Sequence, residues 1–227
     1  MTKLYTYRET YDTGFAPNPF QGVLTLANCK PAIRRTAEVG DWVAAFTANI
    51  VRNADKKILY QGKKGAEKLV WIGRVTKKLT YAEYWEQYKQ KRPKSFNVSF
   101  VETKGSGCGA KEVVASVGCI AKSTEASLSD DFGDNIYMPD EKAPLGFRQI
   151  PNRFHEEWNM NTDLSGKFVL ICEEFYYFGA ANPYTPLNRP IIPTGVGHRV
   201  NNADDEAPRK FINEFKQFTN GIQKQEL

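Results

Sequence analysis

The residues of this chain that are able to move protons or hold anions gather in loops rich in glycine and proline. Asp12 lies in Tyr11-Asp12-Thr13-Gly14-Phe15-Ala16-Pro17-Asn18-Pro19-Phe20, Asp134 precedes Asn135 in the acidic stretch from Ser129 to Asp140, and His198 precedes Arg199 in Thr194-Gly195-Val196-Gly197-His198-Arg199. Asp12, Asp134 and His198 are the candidates for general acid or base, because a carboxylate or imidazole on a loop can reach a bound group. Around His198 the glycines allow backbone amides to approach an anion that Arg199 holds bidentately; the plainer reading is a loop with a solvated His-Arg pair.

Only two histidines exist, His155 and His198, and neither stands in an HxxxH or HxH spacing, so no metal site is expected. Cys29, Cys108, Cys119 and Cys172 are scattered without a CxxC pair, which argues against a zinc site or disulfide framework and fits a reducing, cytoplasmic setting. Cys108 sits in the glycine-rich segment Gly105 to Gly109, between Lys104 and Lys111. It becomes a nucleophile only if His155 or His198 lies beside it in space. The segment lacks the GxxxxGK[ST] and GxGxxG patterns of phosphate-cradling loops and reads first as a turn. No cofactor motif is present, and none is expected.

Binding chemistry is better represented. Lys30, Arg34 and Arg35 cluster around Pro31, while Trp42, Trp71, Tyr176 and Tyr177 offer aromatic faces on or beside strand patterns. A base stacked on such a face gains on the order of 1 to 3 kcal/mol in single-strand binders. For any one of these aromatics, burial in the core is the simpler reading.

The elements that must position these groups are legible in outline. Lys3 to Arg8 alternates like a strand and ends in the aromatic, proline-stiffened loop that holds Asp12 and Asn18. Gly22 to Cys29, Trp42 to Phe46 and Lys68 to Val75 read as further strands, with a lysine-rich hairpin or mobile loop over residues 49 to 67. Thr80-Tyr81-Ala82-Glu83 is a capping box that opens a helix from Tyr81 to Lys91, with Tyr81, Tyr84, Trp85 and Tyr88 at helical spacing. Phe96 to Val101 and Val113 to Ile120 look like strands. Phe168 to Cys172 is wholly apolar and reads as a central strand. Asp204, Asp205 and Pro208 open a terminal amphipathic helix with Phe211, Ile212, Phe215, Phe218 and Ile222 on one face. The fold class is therefore α+β, mixed and sheet-dominated, in one domain over residues 1–227.

Composition fits that class, with 41% hydrophobic and 25% charged residues and 13% aromatics. No stretch approaches the roughly 20 apolar residues of a membrane-spanning helix, and Met1 to Tyr11 lacks the apolar block of a signal peptide. Neither a membrane partner nor export is expected. The net charge of +5 is unevenly spread: residues 1–111 hold 20 Lys and Arg against 9 Asp and Glu, and residues 112–227 hold 11 against 17. A fold that separated the halves would be bipolar, with a basic face for phosphates; a fold that interleaved them would cancel the asymmetry.

Taken in order, YDTGFAPNPF, CKPAIRR, GDWV, KLVWIGRVTKKLTYAEYW, GDNIY, VLICEEFYYFG and GHR resemble the nucleotide modification associated domain family of the second type, found in bacteria and their phages. The resemblance implies a place in nucleotide or DNA base modification rather than one reaction. It points to Asp12, Gly14, Asn18, Lys30, Arg34, Arg35, Asp41, Trp42, Asp134, Asn135, Tyr137, Tyr176, Tyr177, His198 and Arg199. Residues from about Gly40 to Lys91 are also similar to PUA-like modified-base-binding domains, which implies a barrel core; the lysine-rich insertion departs from that pattern.

Under the resemblance, Arg34, Arg35 and Arg199 hold phosphate, Trp42 or Tyr177 stacks a base, and Asn18, Asp12 or Asn135 reads base edges. The first expectation is a module that binds a nucleotide or modified base, in DNA rather than RNA, within a modification or phage-defence pathway. The second is an enzyme that transfers or removes a group on a nucleotide or base. The third is a ligand-free interaction module that forms an oligomer.

Overall fold

Side-chain alternation along four strands divides the chain into layers. In the computed structural model, which describes residues 1–93 and 132–223, β1 (Lys3–Tyr11) turns Leu4 to one side and Tyr5 and Tyr7 to the other. β3 (Trp42–Arg52) does the same with Trp42, Ala44 and Phe46 against Val43 and Ala45. Two buried sets on opposite faces are what a period of two requires. These strands are the parallel centre of a seven-stranded sheet in the order β11-β1-β3-β5-β10-β12, with β4 (Ile58–Gln61) paired to the far end of β3. β5 is Leu69–Arg74, β10 Glu174–Tyr177, β11 His198–Asn202 and β12 Gly221–Ile222.

A second sheet of three antiparallel strands, β2 (Leu24–Leu26), β9 (Phe168–Cys172) and β6 (Lys77–Thr80), packs on the Tyr5 and Tyr7 face. The unbroken apolar run of β9 has a direct cause. Leu170 and Cys172 face the large sheet, Val169 and Ile171 face a third layer, and a strand buried on both sides needs apolar residues at every position. The third layer holds α2 (Tyr81–Gln87) and the hairpin β7 (Tyr137–Pro139) and β8 (Phe147–Gln149). On the outer face of the large sheet lies the terminal helix, named α4 below (Glu206–Glu214), which together with the 3-10 turn that follows it buries Phe211 and Phe215 against Trp42, Phe46 and Tyr176.

The capping box forms as read: Thr80 Oγ1 accepts the Glu83 N–H at 3.2 Å, and Glu83 Oε2 accepts the Thr80 N–H at 2.7 Å. The α-helix stops at Gln87, and Lys89–Lys91 tightens into a 3-10 turn. Lys91 explains the tightening, since its buried ammonium donates to Asn18 Oδ1 at 2.7 Å and to the carbonyls of Asn18, Phe20 and Val23.

Other expectations are revised. Of the two alternatives for residues 49–67 the hairpin forms, with Ile50, Val51 and Arg52 of β3 paired to β4. The strand over Gly22 to Cys29 contracts to Leu24–Leu26, because Cys29 and Lys30 take left-handed backbone at φ 58° and 44°. Pro31 then starts α1 (Pro31–Thr36), a position where its missing N–H costs nothing. Ile222 leaves the terminal helix for β12, and Asp205 caps that helix without a side-chain hydrogen bond. No closed barrel forms among the described residues: β11 and β12 end the large sheet apart from one another, and the small sheet stands separately. The PUA-like core is thus not what these residues build. Strands of both halves share one sheet, with β1, β3 and β5 of the first half flanked by β11 and by β10 and β12 of the second, so the fold does not keep the halves apart. The strands expected over Phe96 to Val101 and Val113 to Ile120, Lys104 and Lys111, the Gly105 to Gly109 segment, Cys108 and Cys119 lie outside the described residues.

Candidate active site

Cys29 is held at the break between β2 and α1 by bonds at both ends of its backbone. Its N–H donates to Asp163 Oδ1 at 2.7 Å, and its carbonyl accepts Arg34 Nε at 2.7 Å. Two successive left-handed residues without glycine cost on the order of 1 to 3 kcal/mol each, and such strain persists only where the surroundings dictate it. Here the dictating groups are Arg34 and Asp163. Cys29 itself is half-buried.

Asp163 belongs to α3 (Met160–Leu164) and is buried. Its second carboxylate oxygen accepts Tyr137 Oη at 2.7 Å and meets His155 Nδ1 at 2.7 Å. A carboxylate only accepts, so Nδ1 carries the proton and Nε2 is turned toward the thiol. Nε2 lies 3.4 Å from Cys29 Sγ. Burial works against ionisation of Asp163, yet the bonds from His155, Tyr137 and the Cys29 N–H win and hold it below the ordinary carboxylate range. For His155, burial favours the neutral ring; the hydrogen bonds and charges of Asp163 and Cys29 overcome it and raise the imidazole to about 9.

The loops that carry these groups are themselves fixed. Asn152 Oδ1 accepts the N–H of Phe154 at 2.9 Å and of His155 at 2.8 Å, and the His155 carbonyl accepts Gln149 Nε2 at 2.7 Å. Phe15, from the aromatic loop, meets the imidazole edge-on at 5.0 Å and stacks on Phe154. Arg34 ties the two ends together. It is fully buried and, besides the Cys29 carbonyl, donates to the carbonyl oxygens of Asp163 at 2.6 Å and Phe168 at 2.8 Å and to Tyr81 Oη at 2.6 Å. A Cβ on Gly166 would stand 2.5 Å from that guanidinium, so glycine is required there.

A thiol, an imidazole and a carboxylate in series make an activated nucleophile: the imidazole holds the proton it shares with the sulfur and gives it to a leaving group, and the carboxylate orients the ring. Among the described residues no group of three side chains is arranged to hold a metal ion. The surface depression of about 500 Å³ bordered by Tyr81, Phe147, Asn161, Leu164 and Lys167 abuts α3 but is lined by neither Cys29, His155 nor Asp163.

The family model of nucleotide modification associated domain 2 matches residues 1–108 and 120–226. The chain belongs to that family. The family's description places it in nucleotide modification; no curated protein and no solved structure matches the chain.

In this family member, the residues singled out from sequence divide into distinct environments. Tyr137 supports Asp163 directly. Lys30 follows Cys29 and stands with its ammonium 4.5 Å over the Tyr7 ring. Asp12 is buried, accepting the Tyr177 hydroxyl and the Ala180 N–H, the latter at 2.6 Å. Arg34 has its donors committed to the interior, which leaves the surface-exposed phosphate role to others. Arg35 is exposed and donates to the Ser165 carbonyl at 2.9 Å.

Asp134, Asn18 and Asn135 are interior scaffold. Asp134 accepts Thr25 Oγ1 at 2.6 Å and Tyr84 Oη at 2.7 Å, Asn18 receives Lys91 and donates to the Phe132 carbonyl, and Asn135 donates to the carbonyls of Tyr84 and Tyr88. Trp42 and Tyr176 are packed under α4, away from the cysteine. His198 and Arg199 lie on β11, the edge strand, with the His198 ring 5.8 Å from Tyr5 and its pKa lowered by burial. Sequence reasoning considered His155 only as a partner for Cys108 and passed over Cys29 and Asp163. The one local signal was a cysteine at the end of a strand, two residues before a helix-starting proline.

Proposed function

We propose that this chain is a cysteine-dependent enzyme of nucleotide modification that transfers or removes a group on a nucleotide or base. The observation that carries the reading is the series Sγ to Nε2 at 3.4 Å and Nδ1 to Oδ2 at 2.7 Å, buried at the carboxylate end and half-open at the thiol. With the proton shared between Cys29 Sγ and His155 Nε2 resting on the raised imidazole, the sulfur attacks an electrophilic carbon, forming a C–S bond as the bond from that carbon to the leaving group breaks. The leaving amine or alkoxide departs with the proton from Nε2, and water or an acceptor then cleaves the C–S bond with the same imidazole as base. Acyl and amide groups on a base or sugar suit this chemistry.

The binding-module reading now has less behind it. Of its stacking candidates, Trp42 belongs to the core beneath α4 and Tyr177 packs against the Tyr5 and Tyr7 core with its hydroxyl on Asp12, and Arg34 is committed to the interior. DNA as the partner, in preference to RNA, rests on the family resemblance alone. The test is incubation with a panel of acylated and amide-bearing nucleotides, read by mass analysis, for the native chain and Cys29→Ser. Conversion by the native chain with none by the variant supports the enzyme. Ligands bound but recovered unchanged by both proteins would return the proposal to a reader.

A further inference from the structure

Cys29 and Lys30 carry left-handed backbone at φ 58° and 44°, between the end of β2 and Pro31, the first residue of α1. A nucleophile on such a strained strand-to-helix turn always has one donor beside it, the peptide N–H of the residue that follows. Here that peptide has a fixed sense. The Cys29 carbonyl accepts Arg34 Nε at 2.7 Å in the interior, and in a trans peptide the N–H points the opposite way, so the Lys30 N–H is turned away from the buried guanidinium. Among the described residues that N–H meets no acceptor, and the next residue, Pro31, has no N–H to take its place. The Lys30 ammonium is uncommitted as well. It makes no hydrogen bond or ion pair among the described residues and rests 4.5 Å over the Tyr7 ring, from which a change of rotamer frees it. Ammonium and sulfur share one neighbourhood, since both act on the Glu9 carboxyl. Cys29 and Lys30 are both half-buried, so part of each meets solvent, whereas Arg34 and Asp163 are shut away.

Resting on the enzyme reading above, we propose that Lys30 is a further catalytic residue, its N–H and ammonium together holding the oxyanion that forms when the Cys29 sulfur adds to a carbonyl, and that the group removed from the nucleotide is therefore an acyl group. The electrons follow the carbonyl. Sulfur gives a pair to the carbonyl carbon, the C–S bond forms, and the C=O π pair moves to oxygen, where the Lys30 donors meet it. When that pair returns, the bond to the leaving amine or alkoxide breaks, and His155 Nε2 gives the leaving atom its proton. Water, losing a proton to the same imidazole, then adds to the thioester through a second such oxyanion, and the C–S bond breaks to release the acid and restore the sulfur. Displacement of an alkyl group at a tetrahedral carbon puts no charge on a carbonyl oxygen and has no use for these donors. The assignment thus separates acyl from alkyl substrates.

The test compares two reagents at Cys29, resolved by peptide mass mapping, in the full chain and in its variants Lys30→Met and Lys30→Arg. p-Nitrophenyl acetate acylates sulfur through a carbonyl oxyanion, and iodoacetamide alkylates it without one. A change in how readily the thiol ionises moves both rates in the same direction, so the ratio of acetylation to alkylation isolates the oxyanion. That ratio is expected to fall at least roughly tenfold in Lys30→Met and to recover most of the loss in Lys30→Arg, which keeps a cation. Cys172, inert while buried, reports that each variant is folded. The N–H, which both variants retain, is followed by NMR: trifluoroacetone adds to the sulfur as a tetrahedral oxyanion, and the Lys30 amide proton should move downfield in the native chain and stay in place in Cys29→Ala. An unchanged ratio in Lys30→Met, or capture of trifluoroacetone without that amide shift, overturns the proposal, while the reactive Cys29 leaves the enzyme reading standing. A Cys29 inert to both reagents in the native chain removes the enzyme reading itself, and the Lys30 assignment with it.

Discussion

Lys91 and Glu9 are both buried ionisable groups, and their surroundings treat them oppositely. Four oxygens surround the Lys91 ammonium at 2.6 to 3.1 Å; burial lowers its pKa to about 8 against the pull of Asp134, and every acceptor in reach is used. Its neighbours Asn18, Asp134, Thr25, Tyr84 and Asn135 form a network that staples the aromatic loop to the end of α2. Neither Glu9 carboxyl oxygen meets a hydrogen-bond partner of that kind among the described residues, and Lys30 and Cys29, which act on it, are half-buried. Asn28 joins the two regions, donating to the Asp134 carbonyl at 2.9 Å one residue before Cys29. A buried network with its donors and acceptors matched serves the fold, whereas one with atoms left over awaits something else.

This contrast is sharpened or broken by substitution. Cys29→Ala is expected to reduce nucleotide conversion the most, by roughly 10⁴-fold or more, with melting close to native. Asp163→Asn should lower turnover by roughly 10³-fold by mis-setting the His155 tautomer, measured at saturating substrate. In the satisfied network the effect moves from rate to stability: Lys91→Met strands the Asn18, Phe20 and Val23 oxygens and should cost about 3 kcal/mol in urea unfolding. Gly166→Ala drives a methyl against Arg34 and should cost about 1 to 3 kcal/mol while also slowing Cys29 labelling; native labelling would show that Arg34 does not set the nucleophile.

The smallest effect is on pH dependence. His155 is raised from an ordinary 6.5 to about 9 in the folded chain, so its contribution is complete below 6.5 and disappears as pH rises through 9. Stability should decline over that window, and His155→Ala should flatten the decline. Glu9, raised by burial, adds a fall of the same sign that starts near its ordinary 4.5, and Glu9→Gln removes it separately.

Much of the frame was legible because it is written in local patterns. The capping box at Thr80 and Glu83, the two-sided apolar run of β9 and the amphipathic face of α4 each follow from residues within a few positions of one another. The end of β2 was not legible, since nothing in the residue types of Cys29 and Lys30 announces a left-handed backbone; that conformation is imposed by Arg34 and Asp163. The site was hidden for the same reason. Cys29 and His155 are 126 positions apart and Cys29 and Asp163 are 134 apart, and among several cysteines and two histidines the right pair is chosen by sheet packing. Arg34 was misjudged because its neighbours Lys30 and Arg35 reach solvent, while one turn of α1 carries Arg34 into the interior.

The most direct measurement is the rate at which iodoacetamide modifies Cys29 at pH 7, resolved by peptide mass mapping, in the native chain and in His155→Ala. Peptide resolution matters because Cys172 is fully buried, its thiol pushed well up by burial, and serves as an inert internal reference. The account predicts that Cys29 reacts at least roughly tenfold faster in the native chain than in His155→Ala, as a thiol paired with an imidazole does. Equal rates in the two proteins would mean that the 3.4 Å contact is packing alone, and Cys29 would not be the nucleophile.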